Sequence, residues 1–177
     1  VMGIKLLLGR NVRFVTSNLR SDFEGSFDVA GTPRDPLIAG EIETKNGQIR
    51  FPSSNARITE GRIRFNVARD PGSDVIRSSA EIDATARGQA GRYQITLGLH
   101  GPLDFGSNNI QNLRVDVSSN PPLSQDEAFA QLTGTSLRDL GSGSGDLSGS
   151  KVNQAYAGAV LSLISAPLFA GIERSLE

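Results

Sequence analysis

The residues able to do acid–base, nucleophilic or metal chemistry are few and lie far apart. The chain carries one histidine, His100, and no cysteine. A lone imidazole needs several carboxylates close by to hold zinc, and none cluster around His100 in the sequence. As a general base it would need a nucleophile within hydrogen-bond reach, and no such residue can be placed there. His100 is expected to be a solvated residue at a strand end, beside Gly101-Pro102. The run Gly141-Ser142-Gly143-Ser144-Gly145 imitates two motifs and meets neither. Ser148 stands where a dinucleotide loop needs its third glycine, neither serine has a glycine two positions before it, and no strand feeds the run. Glu81 and Asp83 share one strand face like a catalytic carboxylate pair, but they belong to a regularly charged, solvated side. The chain is therefore expected not to be an enzyme, with no cofactor and no metal.

Composition narrows the remaining classes. The 177 residues fit one domain, or one domain with an appendage. Only 37% are hydrophobic and 6% aromatic, while glycine reaches 20 residues, which suits a sheet with many turns better than a helical globule. The formal net charge is −1, with basic residues alternating with acidic ones, so nucleic acid is not an expected partner. Without cysteine there are no disulfides and no thiol chemistry. Val1-Met2-Gly3 leads straight into an apolar strand with no signal-like leader. The chain is expected to be a piece of a longer protein whose targeting information lies upstream.

Period-two alternation dominates up to about residue 118. In the stretch from Leu19 to Val29, Leu19, Ser21, Phe23, Gly25, Phe27 and Val29 fall on one side. Arg20, Asp22, Glu24, Ser26 and Asp28 fall on the other. A strand separates these two sets completely, whereas a helix would mix them. The same pattern recurs in Ile38–Glu43, Ile63–Val67, Ile76–Arg87, Tyr93–Leu99 and Leu113–Val117. Breaks are predicted at Gly9-Arg10, Gly31–Pro36, Asn46-Gly47, Pro52–Asn55, Glu60-Gly61, Asp70-Pro71-Gly72 and Ala90-Gly91. The expectation is about nine strands, mostly joined as a meander of hairpins.

Four regions follow: a curled sheet domain over 1–120, a capped helix over 121–140, a Gly/Ser linker over 141–150, and an apolar helical segment over 151–177. Pro121-Pro122 ends the sheet, and Ser124-Gln125-Asp126-Glu127 has the form of a capping box before a helix that Gly134 stops. Ala155 to Ile172 holds no charged residue across 18 positions, the lower bound for a membrane span. Ser162, Ser165 and Pro167 interrupt it, so a helix from about Val152 to Ala166 is expected, packed on the sheet or lying at a membrane surface.

A one-sided sheet has to bury its apolar face against something, usually a second sheet or its own closure into a barrel. Here that face is poor in aromatics and interleaved with Ser21, Gly25, Gly40, Ser78, Ala80 and Ala84, which would fill a sandwich interior badly. A mainly β fold is expected instead: a curled one-sided β-sheet, or open half-barrel, with an apolar concave groove and short C-terminal helices. Such a groove would accept acyl chains or an amphipathic strand.

A series of residues also resembles a known family. Gly9 precedes Asn11-Val12-Arg13-Phe14, and Leu19 follows. Then come Gly25-x-Phe27-x-Val29-x-Gly31, Pro36-Leu37-x-x-Gly40-x-Ile42, Gly47, and Glu60-Gly61-x-Ile63-x-Phe65. Further on, Asn120-Pro121-Pro122-Leu123-Ser124 leads into an acidic helix and Gly134. In this order the elements resemble the C-terminal domain of TamB, an inner-membrane-anchored protein that works with the outer-membrane protein TamA. Asn120 stands where that family usually has aspartate, and Gln131-Leu132-Thr133-Gly134 is more polar than its usual leucine-rich helix end. The family also continues into further apolar, strand-forming sequence, on which docking to TamA would draw.

The resemblance implies a taco-like sheet in the periplasm of a diderm bacterium, serving as a conduit for phospholipid acyl chains between the inner and outer membranes. The groove would be lined by Phe14, Phe23, Phe27, Val29, Ile38, Ile42, Ile49, Phe65, Val67, Ile82, Ile95, Leu97, Val115 and Val117. The implied protein partner is a TamA-like outer-membrane protein. The alternative is an assembly module for outer-membrane β-barrel proteins and autotransporters, which receives a client strand by edge pairing. A closed sandwich or adhesin-like module with a filled core is the third reading.

Overall fold

The computed structural model describes residues 3–32, 35–69, 76–104, 112–134 and 153–160. Among them the alternating segments form seven strands: β1 Ile4–Val15, β2 Leu19–Thr32, β3 Asp35–Arg50, β4 Asn55–Arg69, β5 Ile76–Ala90, β6 Tyr93–Asp104 and β7 Arg114–Asn120. They make one antiparallel meander in the order β1 to β7, an open sheet in which β1 and β7 are the outermost of the described strands. The mainly β, curled sheet with short C-terminal helices is thus the fold observed.

The strands are longer and fewer than the expected nine or so, because three predicted breaks lie inside strands. Gly9-Arg10 falls within β1, Asn46-Gly47 within β3 and Glu60-Gly61 within β4. At each place the pairing register slips without the chain reversing. The slips lie between Leu8 and Val12, between Asp22 and Glu24 opposite Asn46 and Glu43, and between Ile58 and Glu60. In β3 and β4 the slip is a bulge, whose one extra residue inverts the alternation downstream. In β3, Ile42 and Thr44 face inward before the bulge, and Gly47 and Ile49 after it. The two glycines serve close approach and do not turn the chain. A Cβ on Gly47 would lie 2.7 Å from Ser21 Oγ, and one on Gly61 2.8 Å from Thr44 Cγ2. In register, the three slips form a band across β1–β4 that divides the inner face in two.

Below the band the inner face is closed by helices. The capping box forms as the sequence suggests: Ser124 Oγ accepts from the Glu127 amide and the Glu127 carboxylate from the Ser124 amide, starting α1, Gln125–Thr133. Gly134, at φ 77°, ends it in the left-handed conformation that glycine adopts without strain. A second helix, α2, covers residues 153–160. Phe129 of α1 meets Tyr156 of α2 with ring centroids 4.5 Å apart. Ala128, Leu132, Ala157 and Val160 complete a core with Leu19, Ile49, Ala56, Ile58, Ala86, Ile95, Leu97, Val115 and Val117. Each large apolar side chain removed from water here contributes roughly 1.5–3 kcal/mol.

Asn153 and Gln125 also seal the β7 edge. The Val115 amide donates to Asn153 Oδ1 at 2.9 Å, Asn153 Nδ2 donates to the Leu113 carbonyl at 3.0 Å, and Gln125 Nε2 donates to the Val115 carbonyl at 2.9 Å. These amides stand in for a neighbouring strand. The predicted turn at Asp70-Pro71-Gly72, the linker over 141–150 and the expected helix beyond residue 160 lie outside the described residues. No helix among the described residues is long and apolar enough to cross a membrane.

Candidate functional site

Above the band the two faces of the sheet differ sharply. The outer face is a cross-strand ladder of charges. Arg62 pairs with Glu43 at 2.7 Å and Arg64 with Glu81 at 2.9 Å, while Arg13 pairs with Asp22 at 2.9 Å on the other side of the band. The Arg62 guanidinium, donating to Glu43 and lying close to it, holds the Glu43 carboxyl below its ordinary range. Glu81 and Asp83 are therefore members of separate ladder pairs. His100 lies within β6 rather than at a strand end, half-exposed, with Nδ1 2.9 Å from Asp83 Oδ1. Its cross-strand neighbours are Asp83 and Arg114. No group of three or more histidine, cysteine or acidic side chains among the described residues could hold a metal ion.

The inner face above the band is apolar and only half covered. Phe27 on β2 and Phe65 on β4 flank Gly40 on β3 in register and tilt together over it, with centroids 4.8 Å apart. Gly40 is required there, since a Cβ would lie 2.6 Å from the Phe65 ring. Phe23, Val29, Ile38, Ile42, Ile63, Val67 and Ile82 share this face in partly exposed positions. On β1, Ile4 and Leu6 extend it and remain more than half exposed, at 55% and 53%. At the band, Ser21 Oγ lies 2.7 Å from Thr44 Oγ1, and both hydroxyls reach the Asn46 carbonyl at 3.2 Å. The bulge turns that carbonyl inward, and the hydroxyls satisfy it within apolar surroundings. An apolar slot of about 90 Å3 runs under the band between Phe23, Ile58, Ile63, Ile82, Leu97 and Val160.

The expected lining residues therefore divide into two groups. Phe23, Phe27, Val29, Ile38, Ile42, Phe65, Val67 and Ile82 lie together in the open half of the trough. Ile49, Ile95, Leu97, Val115 and Val117 lie in the closed core under α1 and α2, and Phe14 packs against the edge of that core. The shared alternation of all these residues identifies the face but says nothing of which half a helix covers. Ile63 and Leu6 carry the same alternation and extend the open half. Val160 has no such signal, since its place under the band depends on how α2 docks.

A single open sheet, charged outside and apolar inside, is the arrangement on which the sequence comparison bears. The family model of the TamB C-terminal domain matches residues 2–176. This chain belongs to the TamB C-terminal domain family. TamB membership makes it a bacterial envelope protein connected with the translocation and assembly module, and so with outer-membrane assembly or lipid transport in general. Comparison with curated proteins and with solved structures finds no match in either. For a TamB domain, the feature to explain is the half-covered trough above the band.

Proposed function

We propose that this TamB domain is a non-catalytic segment of a periplasmic conduit, in which phospholipid acyl chains lie along the open half of the trough. The observation that carries the reading is the contrast between the two faces above the band. The outer face is satisfied by ion pairs, while Phe23, Phe27, Ile42, Phe65 and Ile82 remain partly exposed to solvent. Covering them with an acyl chain stabilises the pair by about 0.8 kcal/mol per buried methylene. A nearly uniform apolar wall offers similar burial at successive positions, so a chain can slide without large barriers and no covalent step is needed. The groove serves transport between inner and outer membranes, with a TamA-like protein as the outer-membrane partner.

A photocrosslinking residue at Phe65 or Phe27 tests this reading. Phospholipid adducts are expected at both positions, and not at Leu97, which α1 and α2 bury. Protein adducts alone at Phe27 and Phe65, or equal lipid capture at the outward-facing Glu81, would overturn it.

One observation favours the second reading, a strand-accepting assembly module for outer-membrane β-barrel clients. The β7 edge is sealed by Asn153 and Gln125, whereas β1 exposes apolar side chains on both faces, including Leu7 at 75%. An apolar edge of this kind is a template for an added strand. On that reading a crosslinker at Leu7 captures β-barrel strands while those at Phe27 and Phe65 capture no lipid.

A further inference from the structure

The outer face below the band differs from the ladder above it. One register row crosses six strands as Arg20, Gln48, Arg57, Arg87, Thr96 and Ser118. The next row toward the strand ends includes Arg50 opposite Asn55, and Gln89 opposite Gln94. These positions include no carboxylate. Arg57 and Arg87 stand directly opposite each other on neighbouring strands, an arrangement that like charges make unfavourable. Among the described residues no ion pair engages Arg20, Arg57 or Arg87, in contrast to Arg62 and Arg64 in the other half and to Arg13 beside the band in this one.

These arginines border a depression of about 770 Å3 on the outer face, with Gln48, Gln94 and Thr96 also on its wall. Asp22 lies on the same wall, but Arg13 holds its carboxylate at 2.9 Å. Arg57 is steadied by its Nη2 donating to Asn46 Oδ1 at 3.1 Å, so the inner-face bulge also positions an outer-face cation. Adjacent strands lie about 4.8 Å apart, which places the Arg57 and Arg87 forks within reach of one tetrahedral anion and Arg20 two strands away. The amides and hydroxyl beside them can bind hydroxyl substituents.

We infer that this depression binds a phosphate ester carrying hydroxyl groups. The ester is either soluble or the headgroup of a lipid in a membrane. The site lies on the opposite face from the trough and does not rest on the conduit reading. A bound phosphate anion offsets the Arg57–Arg87 repulsion and takes up donors that otherwise face water.

The test compares the whole chain with two double variants of equal charge change, Arg57→Gln/Arg87→Gln and Arg62→Gln/Arg64→Gln. Each is first shown to keep a cooperative thermal transition. Calorimetric titration with glycerol 3-phosphate reads the soluble source, and flotation with phosphatidylglycerol against phosphatidylcholine vesicles reads the headgroup. Saturable binding in either arm, weakened roughly tenfold or more by Arg57→Gln/Arg87→Gln and left near the wild-type value by the other variant, supports the site. Binding in neither arm, or equal loss in both variants, overturns it.

Discussion

At the scale of single residues, Ser21 and Tyr156 show how position sets role. In the sequence Ser21 is a small residue on an apolar face and reads as a space left open. Its partner Thr44 stands 23 residues away, and the carbonyl they share turns inward only because β3 bulges. Nothing local to Ser21 announces that. Tyr156 is the reverse case: an aromatic in a charge-free helix is expected to be buried, and its ring is. Burial, with the nearby Asp126 charge adding to it, pushes the Tyr156 phenol up to about 12. An unfolded tyrosine titrates at about 10. Between those values the folded chain keeps a proton that the unfolded chain releases, so stability is fully present below about pH 10 and falls as pH rises toward 12. Tyr93→Phe leaves Tyr156 as the only tyrosine. Its tyrosinate absorbance should then appear near pH 12, together with loss of α2 docking. Titration near the ordinary tyrosine value in the folded chain would show the ring to be solvated.

At the scale of elements, the strands and α1 were legible and the bulges were not. Alternation marks the faces of β2, β5 and β6 correctly, and Ser124 with Glu127 announces the start of α1. In β3 the alternation inverts beside Asn46-Gly47, which suits a two-residue hairpin and a bulge equally well. The distinction is made by neighbours: β4 carries its own extra residue, so β3 and β4 stay paired from Leu37 with Ala68 to Arg50 with Asn55. This gives a sharp expectation. Deleting Lys45 should turn Ile49 and Phe51, now 5% and 3% exposed, to the solvent side and put β3 out of step with β4. Against a total stability of about 5–15 kcal/mol, that loss should abolish the cooperative thermal transition. Lys45→Ala, which keeps the extra residue, should melt close to the wild type. A Lys45 deletion that still melts cooperatively near the wild-type temperature would show that the bulge does not set the faces.

At the scale of the whole molecule, the band of register slips divides the sheet into a helix-capped half and an open half, and function is expected in the second. The sequence shows one apolar face without its division, because the division depends on where α1 and α2 dock. The closed half buries its apolar face with α1 and α2, and the open half leaves Phe27, Phe65 and Ile82 with part of their surface in water. Native mass spectrometry of the purified chain, before and after incubation with phospholipid, tests most directly whether that surface holds acyl chains. Ions carrying a phospholipid mass are expected from the wild type and should be lost from Ile82→Asp, a substitution at a partly exposed position that the fold should tolerate. Lipid-free ions alone, even after incubation, or lipid retained equally by a folded Ile82→Asp chain, would contradict the account.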